Sequence, residues 1–145
     1  MDNVRKKNLE DSFDNLTSAM ESFEKCLKEP IHEDRDLAGI IKNFEFVYEL
    51  TWKSLKHLLS LEGKEAYTPR EVFEAAFEFN IIADEQIWPN IMKDRNLTVH
   101  TYDQKFANEM YERILKSYFT VFKKTHDVIK VRKLNLPDSL LTKHG

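Results

Sequence analysis

Between positions 8 and 28, Leu9, Phe13, Leu16, Met20, Phe23 and Leu27 recur three or four residues apart, with polar and charged residues between them. That spacing lays one apolar stripe along a helix, and Pro30, which has no amide proton to give, ends it. A polar connection at 32–35 leads to a second stripe over 36–61, made of Leu37, Ile40, Ile41, Phe44, Tyr48, Leu55 and Leu59 and widened by Val47 and Trp52. Gly63 stands just past it, where a left-handed cap residue is commonly needed. A stripe this wide predicts contacts on two sides, a bundle core and a subunit interface.

Thr68-Pro69-Arg70-Glu71 is a helix start: Thr68 caps, Pro69 suits the first helical position and Glu71 completes a capping box. The short helix it opens turns Val72, Phe73, Ala76 and Phe77 inward and closes near Asn80. Asp84 reads as the cap of a fourth helix through Trp88, Ile91 and Met92. Pro89 falls inside that segment, so the helix either kinks there or begins later than Asp84. Thr101 and Gln104 have capping-box spacing, and a long helix is predicted over 103–130 with Phe106, Met110, Ile114, Tyr118, Val121, Phe122 and Ile129 on its apolar face. Residues 131–145, with Pro137, turn polar and read as a C-terminal tail. Three long and two shorter helices with brief loops predict an all-α, up-and-down bundle of four to five helices, a single domain over 1–130 followed by the tail.

Composition supports this reading. The chain has 145 residues, and three glycines and four prolines are too few for the many tight turns of an all-β fold. A net charge of −3 and a pI near 6.0 argue against a protein that coats nucleic acid through many phosphate contacts, while leaving room for an enzyme that touches one or two. Cys26 is the only cysteine, which excludes an intrachain disulfide and a cysteine-based zinc site and suits a small buried or half-buried residue. The charged start (Asp2, Arg5, Lys6, Lys7, Glu10, Asp11) is unlike a signal peptide, and no apolar run approaches the ~20 residues that span a bilayer. A cytoplasmic location without membrane contact is the expectation.

Chemistry concentrates in Arg95-Asn96-Leu97-Thr98-Val99-His100-Thr101-Tyr102. Arginine carries a permanent charge in a fork that can hold two phosphate oxygens. Histidine titrates near neutrality and can both take and give a proton within one turnover. Arg95 would close one helix and His100 precede the next, so the two side chains can meet at a helix junction. Asn96 could orient either group by hydrogen bonding. Such a pair can cleave RNA without a metal, but the same spacing also suits a helix-end arginine and an ordinary surface or half-buried histidine. Asp94 is open between a solvated charge and a residue that tunes the site.

Arg-Asn-x-x-x-His-x-Tyr, at Arg95, Asn96, His100 and Tyr102, resembles the signature of HEPN domains paired with minimal nucleotidyltransferases. Phe44-Glu45-Phe46-Val47-Tyr48-Glu49-Leu50-Thr51-Trp52-Lys53 resembles the F-E-x-x-x-E-L-x-W-K helix of the nucleotidyltransferase substrate-binding branch. Thr68 to Val72, Ala75 to Phe77 and Trp88 also match that branch, so the resemblance covers roughly residues 8–125; Pro89 and the tail depart from it. It implies a HEPN-like bundle that forms a homodimer, with Arg95 and His100 of each subunit facing a shared cleft and cutting RNA without a metal or other cofactor. It implies a toxin whose partner is a cognate nucleotidyltransferase antitoxin, which in some members silences it by attaching AMP to the motif tyrosine, here Tyr102.

The alternative is a non-catalytic helical subunit that completes a two-component nucleotidyltransferase and holds its substrate. The intact Arg95/His100 pair favours the ribonuclease, since a scaffold has no chemical need for both. Without the motif, Tyr102 reads as an ordinary amphipathic tyrosine. Phe44, Phe46, Tyr48 and Trp52 read as core or interface, and Glu49 and Lys53 as an i,i+4 ion pair. His32, His57, His126 and His144 show no metal-ligand pattern.

Overall fold

Six α-helices and one π turn make up the computed structural model, which describes residues 2–83, 86–99 and 103–136. Helix α1 spans Asp2–Lys28, starting before the apolar stripe. Its early turns are tied down by Arg5, whose guanidinium donates to the Ser60 carbonyl at 3.0 Å and approaches the Ser60 hydroxyl at 3.2 Å. Helix α2 spans Asp34–Leu61. Asp36 reaches back to accept from the backbone N–H groups of His32 and Glu33 at 2.8 and 2.9 Å, satisfying donors outside the first turn. At the other end Gly63 has φ +95°, and the Lys64 and Gly63 amides return to the Leu59 and Ser60 carbonyls at 2.8 and 3.2 Å. This is the left-handed cap expected of Gly63.

Helix α3, Pro69–Glu78, opens with the reciprocal Thr68/Glu71 box. It closes on Asn80, whose φ of +59° lets the Ile81 amide reach the Ala76 carbonyl at 2.8 Å. Helix α4 covers Ile87–Thr98. Pro89 therefore sits in the first turn, where its missing N–H has no partner to lose, and the later start is the one observed. Asp84, the cap expected from the sequence, and Thr101, half of the next expected capping box, lie outside the described residues. Asp103 caps α5 (Gln104–Arg113) by accepting from the Lys105 amide at 2.8 Å.

The single long helix expected over 103–130 is interrupted. Between α5 and α6 (Phe119–Leu134) lies a π turn, Ile114–Tyr118. Met110, Ile114, Tyr118 and Phe122, all buried, follow one another in steps of four. In a regular α-helix each such step drifts by about 40° around the axis. The wider π turn removes part of that drift and keeps the stripe on the core. The boundary expected at 131 is also displaced: α6 continues to Leu134, and Leu136 is buried. Arg132 donates to the Glu62 carboxylate at 2.6 and 3.0 Å and to the Phe79 carbonyl at 3.1 Å, so this end of the helix is held against α2 and α3. Residues 137–145 lie outside the described residues.

Helix α2 is the hub and packs against each of the other helices. Its Phe44 faces Tyr118 and Phe122 at ring separations of 6.0 and 5.7 Å. Trp88 of α4 stacks on Phe73 of α3 at 4.5 Å and meets Phe122 edge-on at 5.7 Å. Trp88 thereby seats the first turn of α4 on α3 and α6. Phe44 and Tyr48 are core; Phe46 is 57% exposed, and Trp52 is half-buried with its indole N–H on Glu49 at 2.8 Å. The expected all-α bundle is observed, without a strand among the described residues.

Candidate functional site

The end of α4 is organised by which of its sides is buried. Trp88, Ile91 and Asp94 recur at steps of three and face inward, which carries Arg95 to the flank against α2 and Asn96 further round into solvent. Arg95 thereby lines a groove of about 330 Å³ with Lys42, Asn43, Glu45, Phe46 and Glu49 of α2. Its Nη1 is 3.7 Å from the Glu45 carboxylate, within ion-pair range but too long for a direct hydrogen bond. The Thr98 hydroxyl is closer to that carboxylate, at 2.6 Å, and also lies 2.7 Å from the Arg95 carbonyl. Among the described residues Glu45 is therefore held mainly by Thr98, and the guanidinium is only loosely engaged.

Beneath it the Arg95 guanidinium lies 6.0 Å from the Tyr48 ring centre, and its Nε is buried without an acceptor among the described residues. Burial pushes the Tyr48 hydroxyl up to about 12, with Glu49 adding to the shift and Arg95 opposing it. Arg95 thus lines the groove with its guanidinium over an aromatic face, an arrangement suited to binding an anion. Spacing did not reveal Glu45, Tyr48 or Thr98 as neighbours of Arg95, although two of the three lie within the Phe44 to Lys53 motif.

Asp94 is not a solvated charge. Its carboxylate is buried and accepts from Arg113 Nε and Nη2 at 2.7 and 3.0 Å and from the Tyr118 hydroxyl at 2.6 Å. Burial, followed by the hydrogen bond and charge of Asp94, raises the Tyr118 hydroxyl above its ordinary range.

Asn96 does not share the Arg95 groove. It lines a larger, mostly apolar cleft of about 750 Å³ between α3 and α4, with Phe73, Phe77, Trp88, Met92 and Lys93 among its walls. His100 and Tyr102 lie outside the described residues. Among the described residues no cluster of His, Cys, Asp and Glu could hold a metal ion. His126 has its ring nitrogens 2.8 Å from the Thr17 hydroxyl and 3.0 Å from Asp127, and stacks on Phe13. Cys26 is half-buried, and burial raises its thiol pKa, making the thiolate less accessible. Among the described residues no helix is long and apolar enough to cross a membrane.

The fold has solved counterparts. A Haemophilus influenzae structure described as the fold of a substrate binding domain of a nucleotidyltransferase superposes with a TM-score of 0.72 at 27% identity, covering 81% of this chain and 98% of that one. A Thermus thermophilus structure gives 0.68 at 24% identity over the same shares of the two chains, a likeness of fold alone. In sequence, 89 residues are 37% identical to a Haemophilus influenzae protein named probable ribonuclease HepT, covering 58% of this chain and 61% of that protein. Residues 11–131 match the model of the family described as nucleotidyltransferase substrate binding protein like. That match takes in α2, the aromatic core and the whole of α4, and by it the chain belongs to this family.

Proposed function

We infer that the chain is a ribonuclease toxin that cuts RNA without a metal, with Arg95 and His100 as its reacting pair and a nucleotidyltransferase antitoxin as its partner. The observation that carries this reading is Arg95 itself: a loosely engaged guanidinium in a groove at the end of α4, five residues before a histidine. In the proposed reaction His100 removes the proton of a ribose 2′-hydroxyl, whose oxygen attacks the adjacent phosphorus. The bond to the 5′-oxygen breaks, that oxygen takes up a proton, and a 2′,3′-cyclic phosphate and a 5′-hydroxyl remain. Arg95 stabilises the charge gathering on the phosphoryl oxygens. The relationship to the protein named probable ribonuclease HepT supports this chemistry.

The shared cleft requires two copies of the chain. Phe46, exposed in the groove, and Leu97 and Val99, exposed near the end of α4, supply apolar surface for a symmetric homodimer. Asn96, outside the Arg95 groove, is assigned an orienting role at most. Control is proposed at Tyr102: its hydroxyl loses its proton to solvent as the oxygen attacks the α-phosphorus of ATP on the antitoxin, the bond to the β-phosphate breaks and pyrophosphate leaves, and the attached AMP phosphate competes for Arg95.

The purified chain should cut RNA in the presence of EDTA, and Arg95→Ala or His100→Ala should lower the rate by about 10²–10⁴-fold. Undiminished cleavage by both variants would reject the site. Incubation with the antitoxin, ATP and magnesium should add AMP mass to the wild type but not to Tyr102→Phe. The description of the family and of the Haemophilus influenzae structure favours a second reading, a non-catalytic substrate-binding subunit. Tight binding to a nucleotidyltransferase with no cleavage of any RNA would select it.

A further inference from the structure

Asp94 immediately precedes Arg95 and points the opposite way, into a meeting of three side chains in which Asp94 and Tyr118 are buried and Arg113 is partly exposed. Its two partners there, Arg113 and Tyr118, are five residues apart on the facing rod. In a regular α-helix such residues stand about 140° apart around the axis, on different faces. Here the π turn lies between them: the Phe119 amide bonds the Ile114 carbonyl, five residues back, and the added residue in the turn brings Arg113 and Tyr118 to the same side. The irregularity in the long helix thus coincides with the contact it makes possible.

We propose that Asp94, Arg113 and Tyr118, aligned by the π turn, form a positioning clamp that fixes the last turn of α4 and with it the direction of the Arg95 guanidinium. The need for such a clamp is visible at the end of α4. Arg95 is itself held loosely, by a 3.7 Å ion pair. Apolar side chains of similar volume would hold two helices together as well as a buried ion pair does. What three convergent hydrogen bonds of 2.6 to 3.0 Å add is a defined rotation and height for the turn that carries Arg95. Sub-ångström placement matters at such a site, since about 1 Å of displacement can cost roughly a hundredfold in rate.

The inference rests on the reading of Arg95 as the phosphate-gripping group, and its test separates the two. Cleavage of a short RNA is measured for the full chain, Tyr118→Phe, Asp94→Asn and Arg95→Ala, alongside amide hydrogen exchange at residues 95–98. Tyr118→Phe removes one hydroxyl and keeps the ring in the core. It should lower kcat about tenfold with KM changed by less than about twofold, and speed exchange in the last turn of α4 but not in α1. Asp94→Asn should do the same more strongly. Wild-type kcat in Tyr118→Phe, or a change confined to KM, overturns the positioning role. Unaltered exchange at 95–98 in both clamp variants overturns the clamp itself. Wild-type cleavage by Arg95→Ala would instead refute the reading of Arg95, with the exchange data still deciding whether the clamp holds α4.

Discussion

Tyr48 lies in the core between Phe44 and Phe73, with the Arg95 guanidinium above its ring. Burial raises its hydroxyl from an ordinary 10.0 to about 12, and Tyr118 is raised in the same direction. The folded chain therefore holds these two protons more tightly than the unfolded chain does. Their contribution to stability is fully present below pH 10 and is lost as the pH climbs through the folded values. For Tyr48 a shift of about two units corresponds to about 2–3 kcal/mol at about 1.4 kcal/mol per unit, and Tyr118 adds to it. Set against a net stability of about 5–15 kcal/mol for a domain, that loss is large enough to bring unfolding into the alkaline range. Urea midpoints should hold steady below about pH 10 and fall steeply above it, and tyrosinate absorbance should show two of the five tyrosines ionising only as the fold is lost. Tyr48→Phe should flatten the fall. Ionisation of every tyrosine near pH 10 with helical circular dichroism intact would refute the reasoning, as would a Tyr48→Phe chain as sensitive to alkali as the wild type.

Trp88→Ala empties a site packed between Phe73 and Phe122 and should destabilise the chain by about 3–5 kcal/mol, read from denaturant unfolding. Arg132→Ala breaks the paired bonds to Glu62 and the bond to the Phe79 carbonyl, and should cost about 1–2 kcal/mol by the same measurement; no loss would mean that residues 131–134 add nothing to the bundle. On the proposed reading, Glu45→Gln removes an anion that competes for Arg95: KM for RNA should fall while stability shifts by less than about 1 kcal/mol, and an increased KM would show that Glu45 aids binding.

The features legible in the sequence were those whose cause is local. The Thr68/Glu71 box, the Gly63 cap and the apolar stripes depend on residues within a turn of one another, and each is found where the pattern put it. The π turn coincides with contacts to Asp94, about twenty residues upstream, which the four-residue steps of Met110, Ile114, Tyr118 and Phe122 do not signal, since read alone they make one α-helical stripe. Asp94 itself was open between solvent and site because its burial is decided by Arg113 and Tyr118, which no local pattern connects to it. Phe46 could have been separated from Phe44 and Tyr48 by helical geometry alone, since two residues on is about 200° round the axis. The same geometry parts Asn96 from Arg95: adjacent in sequence, they face different hollows, so neighbouring positions in a motif need not serve one site.

Charge limits how RNA can be held. The Arg95 groove carries Lys42 and Arg95 against Glu45 and Glu49, so it offers no excess of positive charge, and the chain as a whole is at −3. An RNA bound here on the proposed reading must be held by a few directed contacts and not by a broad field. Each phosphate that a cation neutralises on a single strand releases counterions worth a slope of about −0.7 in a plot of log affinity against log salt. Two copies of Arg95 facing one cleft, each on one phosphate, give a slope of about −1.4. Recruitment of Lys42 on both sides would roughly double that, since four phosphates would then be engaged. Affinity for a short single-stranded RNA, measured on the His100→Ala chain so that the strand survives, should therefore weaken only about three- to sevenfold between ~50 and ~100 mM salt. A slope of about −5 or steeper would require a track of seven or more phosphates. Such a track could not be built from this groove, and the RNA would have to lie across another face of the molecule.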